Sequence, residues 1–337
     1  MLCTHDTTLL VALFTGPHAL HAIGAAAKAQ RAAVSALWAT VLDACPRCVY
    51  VLGGYSSEDH RLRSVERLNL SSGSWEALPP LAMCRGGAAA AVLGGQVYVC
   101  GGCIDYCVVL NSVERFDPDT MSWRNVEPMR LARQGAAAGV MGGKLYICGG
   151  WGEKDQPLSC MEEFDRPAGC WRGGLFSLLE PRAWGAAGTL GSLLYVCGGQ
   201  NKNDPLGSTE RFDPTAGRVE KAPPMAARRS APAAAVVAGA LYVAGGWDEH
   251  RQNLDSVERL DQCADAWETV EPMLTKRFGA AACSVAGCIY IFGGYEEDDV
   301  DACLTSAECL DTSPPRWAAA PPMQEARSGA VAAAGWA

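Results

Sequence analysis

The sequence predicts an all-β protein, a six-bladed β-propeller with four antiparallel strands per blade. Three observations lead there. Glycine pairs recur at a near-constant period, each pair ends a short β-rich run, and no helix-period stretch separates the units. The pairs are Gly53-Gly54, Gly101-Gly102, Gly149-Gly150, Gly198-Gly199, Gly245-Gly246 and Gly293-Gly294, spaced by 48, 48, 49, 47 and 48 residues. The runs before them read VYVL, VYVC, LYIC, LYVC, LYVA and IYIF. Such apolar, tyrosine-centred stretches are strand formers, and the glycines punctuate them.

Each strand of a unit has its own marker. The first strand is an Ala/Gly/Val run opened by an arginine: Arg85, Arg133, Arg182, Arg229 and Arg277 each lie sixteen residues before the first glycine of the next pair. The second strand is the run ending in Gly-Gly. The third carries a glutamate: Glu66, Glu114, Glu162, Glu210, Glu258 and Glu308. The fourth carries a tryptophan nine residues later, at Trp75, Trp123, Trp171, Trp267 and Trp317, with Val219 in its place in the fourth unit. Gly, Asp-Pro and Pro fill the turns, and Pro-Met steps such as Pro128-Met129 follow the fourth strand. Insertions fall between the glycine pair and the glutamate. Four short strands in a unit of this length make a propeller blade.

The first unit lacks a first strand of its own. The stretch "SALWATVL" (35–42) and the C-terminal "RSGAVAAAG" (327–335) could each supply it. The latter opens with an arginine, Arg327, and follows Pro322-Met323 in register. The C-terminal strand is therefore expected to complete blade one, which leaves no sheet edge open. Residues 46–337 are then the propeller. Residues 1–45 are expected to be an Ala-rich extension, helical or disordered, and too short to fold alone.

The stretch "SVERFDPDTMSWRNVEPMRLARQGAAAGVMGGKLYICGG" (112–150) resembles the Kelch repeat, and the resemblance runs over about residues 47–337. It implies a protein-interaction module. In Kelch substrate adaptors of ubiquitin ligases the motif positions after the glycine pair and at the repeated arginine line a ligand pocket. Actin binding is another use within the family. A BTB-like domain cannot fit into 45 extra residues, so an adaptor role calls for a separate partner, such as a cullin-ligase component, or a longer parent protein.

Strand parity says where such a site would lie. The connection from strand two to strand three and the link from strand four to the next blade emerge on one face. The residues after the glycine pairs, Tyr55, Cys103, Trp151, Gln200, Trp247 and Tyr295, and the arginines Arg85, Arg133, Arg182, Arg229, Arg277 and Arg327 are thus expected on that face, with Ser230 and Ser328 beside two of them. Arginines and aromatics suit an interaction hot spot, and arginine clamps carboxylates. The expected ligand is a partner peptide with an acidic motif. Since the arginine recurs in every repeat, it equally suits an anchor within the fold. The tryptophans are expected to pack blade to blade.

Other classes find less support. The net charge is −9 with no Lys/Arg run, which argues against a general nucleic-acid binder. No stretch of eighteen apolar residues exists, so no membrane span is expected. The apolar stretch "TLLVALF" (8–14) lacks a basic lead, so no secretory signal is expected, and the sixteen cysteines suit reduced thiols in a cytoplasmic protein. As enzymes, a copper oxidase would have only His60 and His250 within the propeller, and the Asp-box turns of sialidases are missing. Cys45 and Cys48 have redox spacing without a helix start, and Cys100, Cys103 and Cys107 lack a fourth zinc partner. The acidic loop 295–306 matches no calcium-loop spacing. No cofactor or metal is expected. The strongest enzyme alternative is a Kelch-type sialic-acid mutarotase, in which arginines would hold a carboxylated sugar.

Overall fold

Inter-strand pairing in a computed structural model groups the described residues into six four-stranded antiparallel sheets. The structure describes residues 48–335 except 59, 106–107, 155, 203 and 297–302; the expected N-terminal extension lies outside the described residues. Blade two shows the plan: Ala89–Leu93, Gln96–Cys100, Val113–Asp117 and Ser122–Val126 pair in sequence order. Blades three to six repeat it, starting at Ala137–Met141, Ala186–Leu190, Ala233–Val237 and Ala281–Val285. Blade one is closed by the C-terminus. Val331–Gly335 pairs antiparallel with Cys48–Leu52, in a register from Cys48 opposite Gly335 to Leu52 opposite Val331. A two-stranded hairpin, Gln200–Asn201 with Asp204–Pro205, decorates blade four.

Burial explains the composition of each strand. Second strands are buried along nearly their whole length, as at Cys48–Leu52 and Ala240–Ala244, because a neighbouring blade covers each face. That is why they read as unbroken apolar runs. First strands alternate, as Ala137–Met141 does, and run along the propeller axis. All six line a central cavity of about 160 Å³ whose wall is almost entirely alanine and glycine. Larger side chains there would fill the axis.

The core lies between blades. One cluster joins Tyr50 and Leu52 of blade one to Val97, Val99 and Phe116 of blade two. Tyr50 meets Phe116 edge-on with ring centroids 5.7 Å apart. The tryptophans stitch each blade to the one before. Trp123 Nε1 donates to Pro79 C=O at 2.8 Å, and Trp75, Trp171, Trp267 and Trp317 make the same bond to Pro321, Glu127, Pro223 and Glu271. Blade four, with Val219 instead, is packed by Phe176 from the preceding blade, whose ring lies 4.5 Å from that of Phe212.

Candidate binding site

The glycine pairs turn the chain in a way other residues cannot follow. Gly149 and Gly150 have φ of 63° and 99°, and a Cβ on Gly149 would sit 2.3 Å from the Arg182 carbonyl oxygen. The next residue, Trp151, then forms a two-residue bridge with Gln134. The same bridge joins Tyr55 to Ser328, Cys103 to Gly86, Gln200 to Ala183, Trp247 to Ser230 and Tyr295 to Phe278. The residue after each glycine pair is thus tied to the residue after each arginine, and these two sets share one face, as parity requires.

The arginines themselves do not reach that face. Arg85, Arg133, Arg182, Arg229, Arg277 and Arg327 are at most 1% exposed. Each pairs with the glutamate of its own blade: with Glu114 at 2.9 Å, Glu162 at 2.8 Å, Glu210 at 2.6 Å, Glu258 at 3.0 Å, Glu308 at 2.9 Å and Glu66 at 2.6 Å. Their remaining N–H groups are largely committed as well. Arg229 Nη1 donates to the carbonyls of Gly245 (2.9 Å) and Ser256 (2.8 Å), and Nη2 to Ser256 Oγ (2.8 Å). The glutamate closes the unit by accepting N–H bonds from the incoming link, as Glu258 does from Ala226 and Ala227. A buried guanidinium is tolerable only when paired in this way. Burial lowers the pKa of Arg229, and the charge of Glu258 opposes that shift. The expectation that the six arginines line the mouth is corrected here: they anchor each inter-blade link. Neither an acidic ligand nor a carboxylated sugar can therefore draw on these six arginines.

Two residues past each arginine lies a feature the sequence reading did not single out. Gly87, Gly135, Trp184, Ala231, Gly279 and Gly329 all have positive φ, between 48° and 64°. Their backbones form a closed ring of six hydrogen bonds around the axis. Gly87 N–H donates to Gly329 C=O (3.0 Å), Gly135 to Gly87 (2.7 Å), Trp184 to Gly135 (2.6 Å), Ala231 to Trp184 (2.9 Å), Gly279 to Ala231 (2.9 Å) and Gly329 to Gly279 (2.7 Å). Four of the six are glycine, the residue that adopts this conformation without strain. Trp184 adopts it at a cost of roughly 1–2 kcal/mol. Its indole lies over Gly135 and reaches Gly87, and the Tyr55 ring lies over Gly86 and Gly329. A Cβ at these glycines would collide with the rings, so the small residues make room for the two aromatics.

What remains of the mouth is a cup of about 240 Å³. Its aromatic wall comprises Tyr55, Trp184, Trp247, Phe278 and Tyr295, and its polar groups include Gln200, Ser230 and Ser328. Phe278 and Tyr295 stack at 4.9 Å, and Ser230 Oγ donates to Gln200 Oε1 at 2.9 Å. Of the residues expected at the site, the structure therefore brings together Tyr55, Gln200, Trp247, Tyr295, Ser230 and Ser328. Trp151 lies beside the cup in blade three without lining it, and Cys103 is buried, with its Sγ 3.4 Å from Tyr55 Oη. Phe278 and Trp184 were missed. Aligned on the arginine, the repeats read RGG, RQG, RAW, RSA, RFG and RSG, so both stand out as lone aromatics in columns of small or polar residues.

His60 and His250 are exposed on the loops of blades one and five. Among the described residues no group of three or more His, Cys, Asp or Glu is arranged to hold a metal ion, and no helix is long and apolar enough to cross a membrane.

A family profile described as the KLHDC2/KLHL20/DRC7 Kelch-repeats domain matches residues 27–199. A second, described as the Kelch motif, matches residues 181–226, 228–274 and 276–324. Solved structures similar to the chain include one described as "Structure of YjhT", with a TM-score of 0.69 and 16% identity over 81% of this chain and 94% of that one. No curated protein matches the chain.

Proposed function

Because the chain belongs to the Kelch-repeat propeller family, we propose that it is a protein-interaction module that seats a segment of its partner in the aromatic cup. The observation that carries this is the cup itself: five aromatic side chains converge on one open concavity of about 240 Å³. Trp and Tyr are enriched at binding hot spots, where large rigid rings bury much area for little lost entropy. The Trp184 backbone supports the same reading, since strain at a non-glycine residue persists where the surroundings hold it and clusters at functional sites.

The test is capture of partners by the immobilised full chain, wild type against a Trp247→Ala, Tyr295→Ala double variant, with melting used to confirm that both are folded. The expected result is a set of partners held by wild type and lost by the variant; an unchanged set refutes the cup as the binding site. An alanine variant of the arginines would not serve, because it would unfold the links those residues anchor. Selection of substrates for a ubiquitin ligase is one use of such a cup, and co-purification of a cullin with the wild-type chain tests it separately.

A further inference from the structure

We infer that the cup takes a cationic side chain, an arginine or lysine on the partner segment, rather than an acidic one; this rests on the cup being the binding site. Three observations converge. The first is the wall: aromatic faces attract a cation through their quadrupoles, and none of the described residues lining the cup carries a charge of its own. The second is charge placement. The six connections from strand two to strand three (55–64, 103–112, 151–160, 200–208, 247–256 and 295–306) hold fourteen Asp and Glu against five Lys and Arg, a net −9 that equals the net charge of the whole chain. Each of them carries an exposed acid: Glu58, Asp105, Glu153, Asp204, Glu249 and Glu296. The described residues of these connections hold eight Asp and Glu against five Lys and Arg, and the inter-blade links on the same face add Glu127, Glu180, Glu271 and Glu325 against Arg130, Arg228 and Lys276, besides the six buried and paired arginines, so the described part of the cup's face is acidic. Such a field steers cationic partners and repels anionic ones. The third is an internal precedent at the rim, where the Arg61 guanidinium lies 5.0 Å from the centroid of the Tyr55 ring. The polar groups inside complete the fit, since Gln200 Oε1 and the serine hydroxyls can accept hydrogen bonds from a guanidinium or ammonium.

The experiment is selection from a random heptapeptide library on the immobilised full chain, followed by titration of the recovered peptides. Arginine or lysine should be enriched at one position. Affinity for those peptides should fall about tenfold in Trp247→Ala and far less in Trp247→Phe. A Glu58→Gln, Glu153→Gln, Glu296→Gln variant changes only exposed side chains and should weaken binding several-fold, as should raising the salt. Peptides that require Trp247 but share a Leu, Phe or acidic residue would overturn the cationic assignment and leave the cup in place. Recovery of no peptides, or of peptides that bind Trp247→Ala as well as wild type, would overturn the cup itself and this inference with it.

Discussion

Cys160 stands where five blades carry a serine. Ser64, Ser112, Ser208, Ser256 and Ser306 each accept a bond from the buried arginine of their blade at 2.8–3.1 Å, whereas Arg133 Nη2 meets Cys160 Sγ at 3.4 Å. A thiol sulfur is a weak acceptor, and hydrogen bonds to charged groups are among the stronger ones. Cys160→Ser should therefore raise stability by about 1 kcal/mol in denaturant unfolding; a neutral or lower value would show that the sulfur already satisfies Arg133. The opposite experiment removes a partner. Glu258→Ala leaves Arg229 buried and unpaired and should cost about 3–5 kcal/mol, while Arg229→Met combined with Glu258→Leu should cost less than Glu258→Ala alone. A double variant no more stable than Glu258→Ala would contradict the anchoring role given to this pair.

At the scale of the element, the decisive strand is the last. Val331–Gly335 covers the inner edge of Cys48–Leu52 through a five-residue ladder and places Arg327 against Glu66 and the Gly53 carbonyl. A chain truncated after residue 326 loses both and exposes a fully apolar strand edge, the arrangement most prone to aggregation. Such a chain should show no cooperative thermal transition; a cooperative melt near that of the full chain would mean that the ring tolerates an open blade. The fourth strand of blade four makes the complementary point. Its missing tryptophan is offset by Phe176, which reaches in from the strand Cys170–Ser177 of the preceding blade. The repeat pattern marks the gap at Val219, but only packing between blades shows what fills it.

For the molecule as a whole, the buried thiols set a limit on the alkaline side. Cys100, Cys148 and Cys197 each lie just before a glycine pair and are fully buried; burial pushes each pKa from 9.0 up to about 12. Above pH 9 the unfolded chain releases these protons while the folded chain keeps them. Stability is therefore unaffected by these groups below pH 9 and falls as pH rises from 9 toward 12, by at most about 1.4 kcal/mol per unit for each thiol. Replacing the three with alanine, the residue blade five already has at Ala244, should flatten that decline in a pH series of unfolding curves. An unchanged slope would assign the alkaline loss to other groups.

The fold was legible because it repeats: a strand pair broken at Gly149-Gly150 and rebuilt every 48 residues or so leaves few architectures. Even the closure by Val331–Gly335 could be read from one in-register arginine. The sequence also placed the residues after the glycine pairs on one face, since strand parity is independent of packing. It did not reveal which way the arginines point. An arginine beside a strand end can face solvent or turn inward, and only the glutamates and carbonyls assembled around Arg229 and its equivalents make the inward choice favourable. Nor did it reveal the cup, whose wall combines Trp184, Trp247, Phe278 and Tyr295 from three blades. Local pattern determined the blade; the closed ring decided which side chains water can reach, because burial belongs to the packed whole rather than to any repeat.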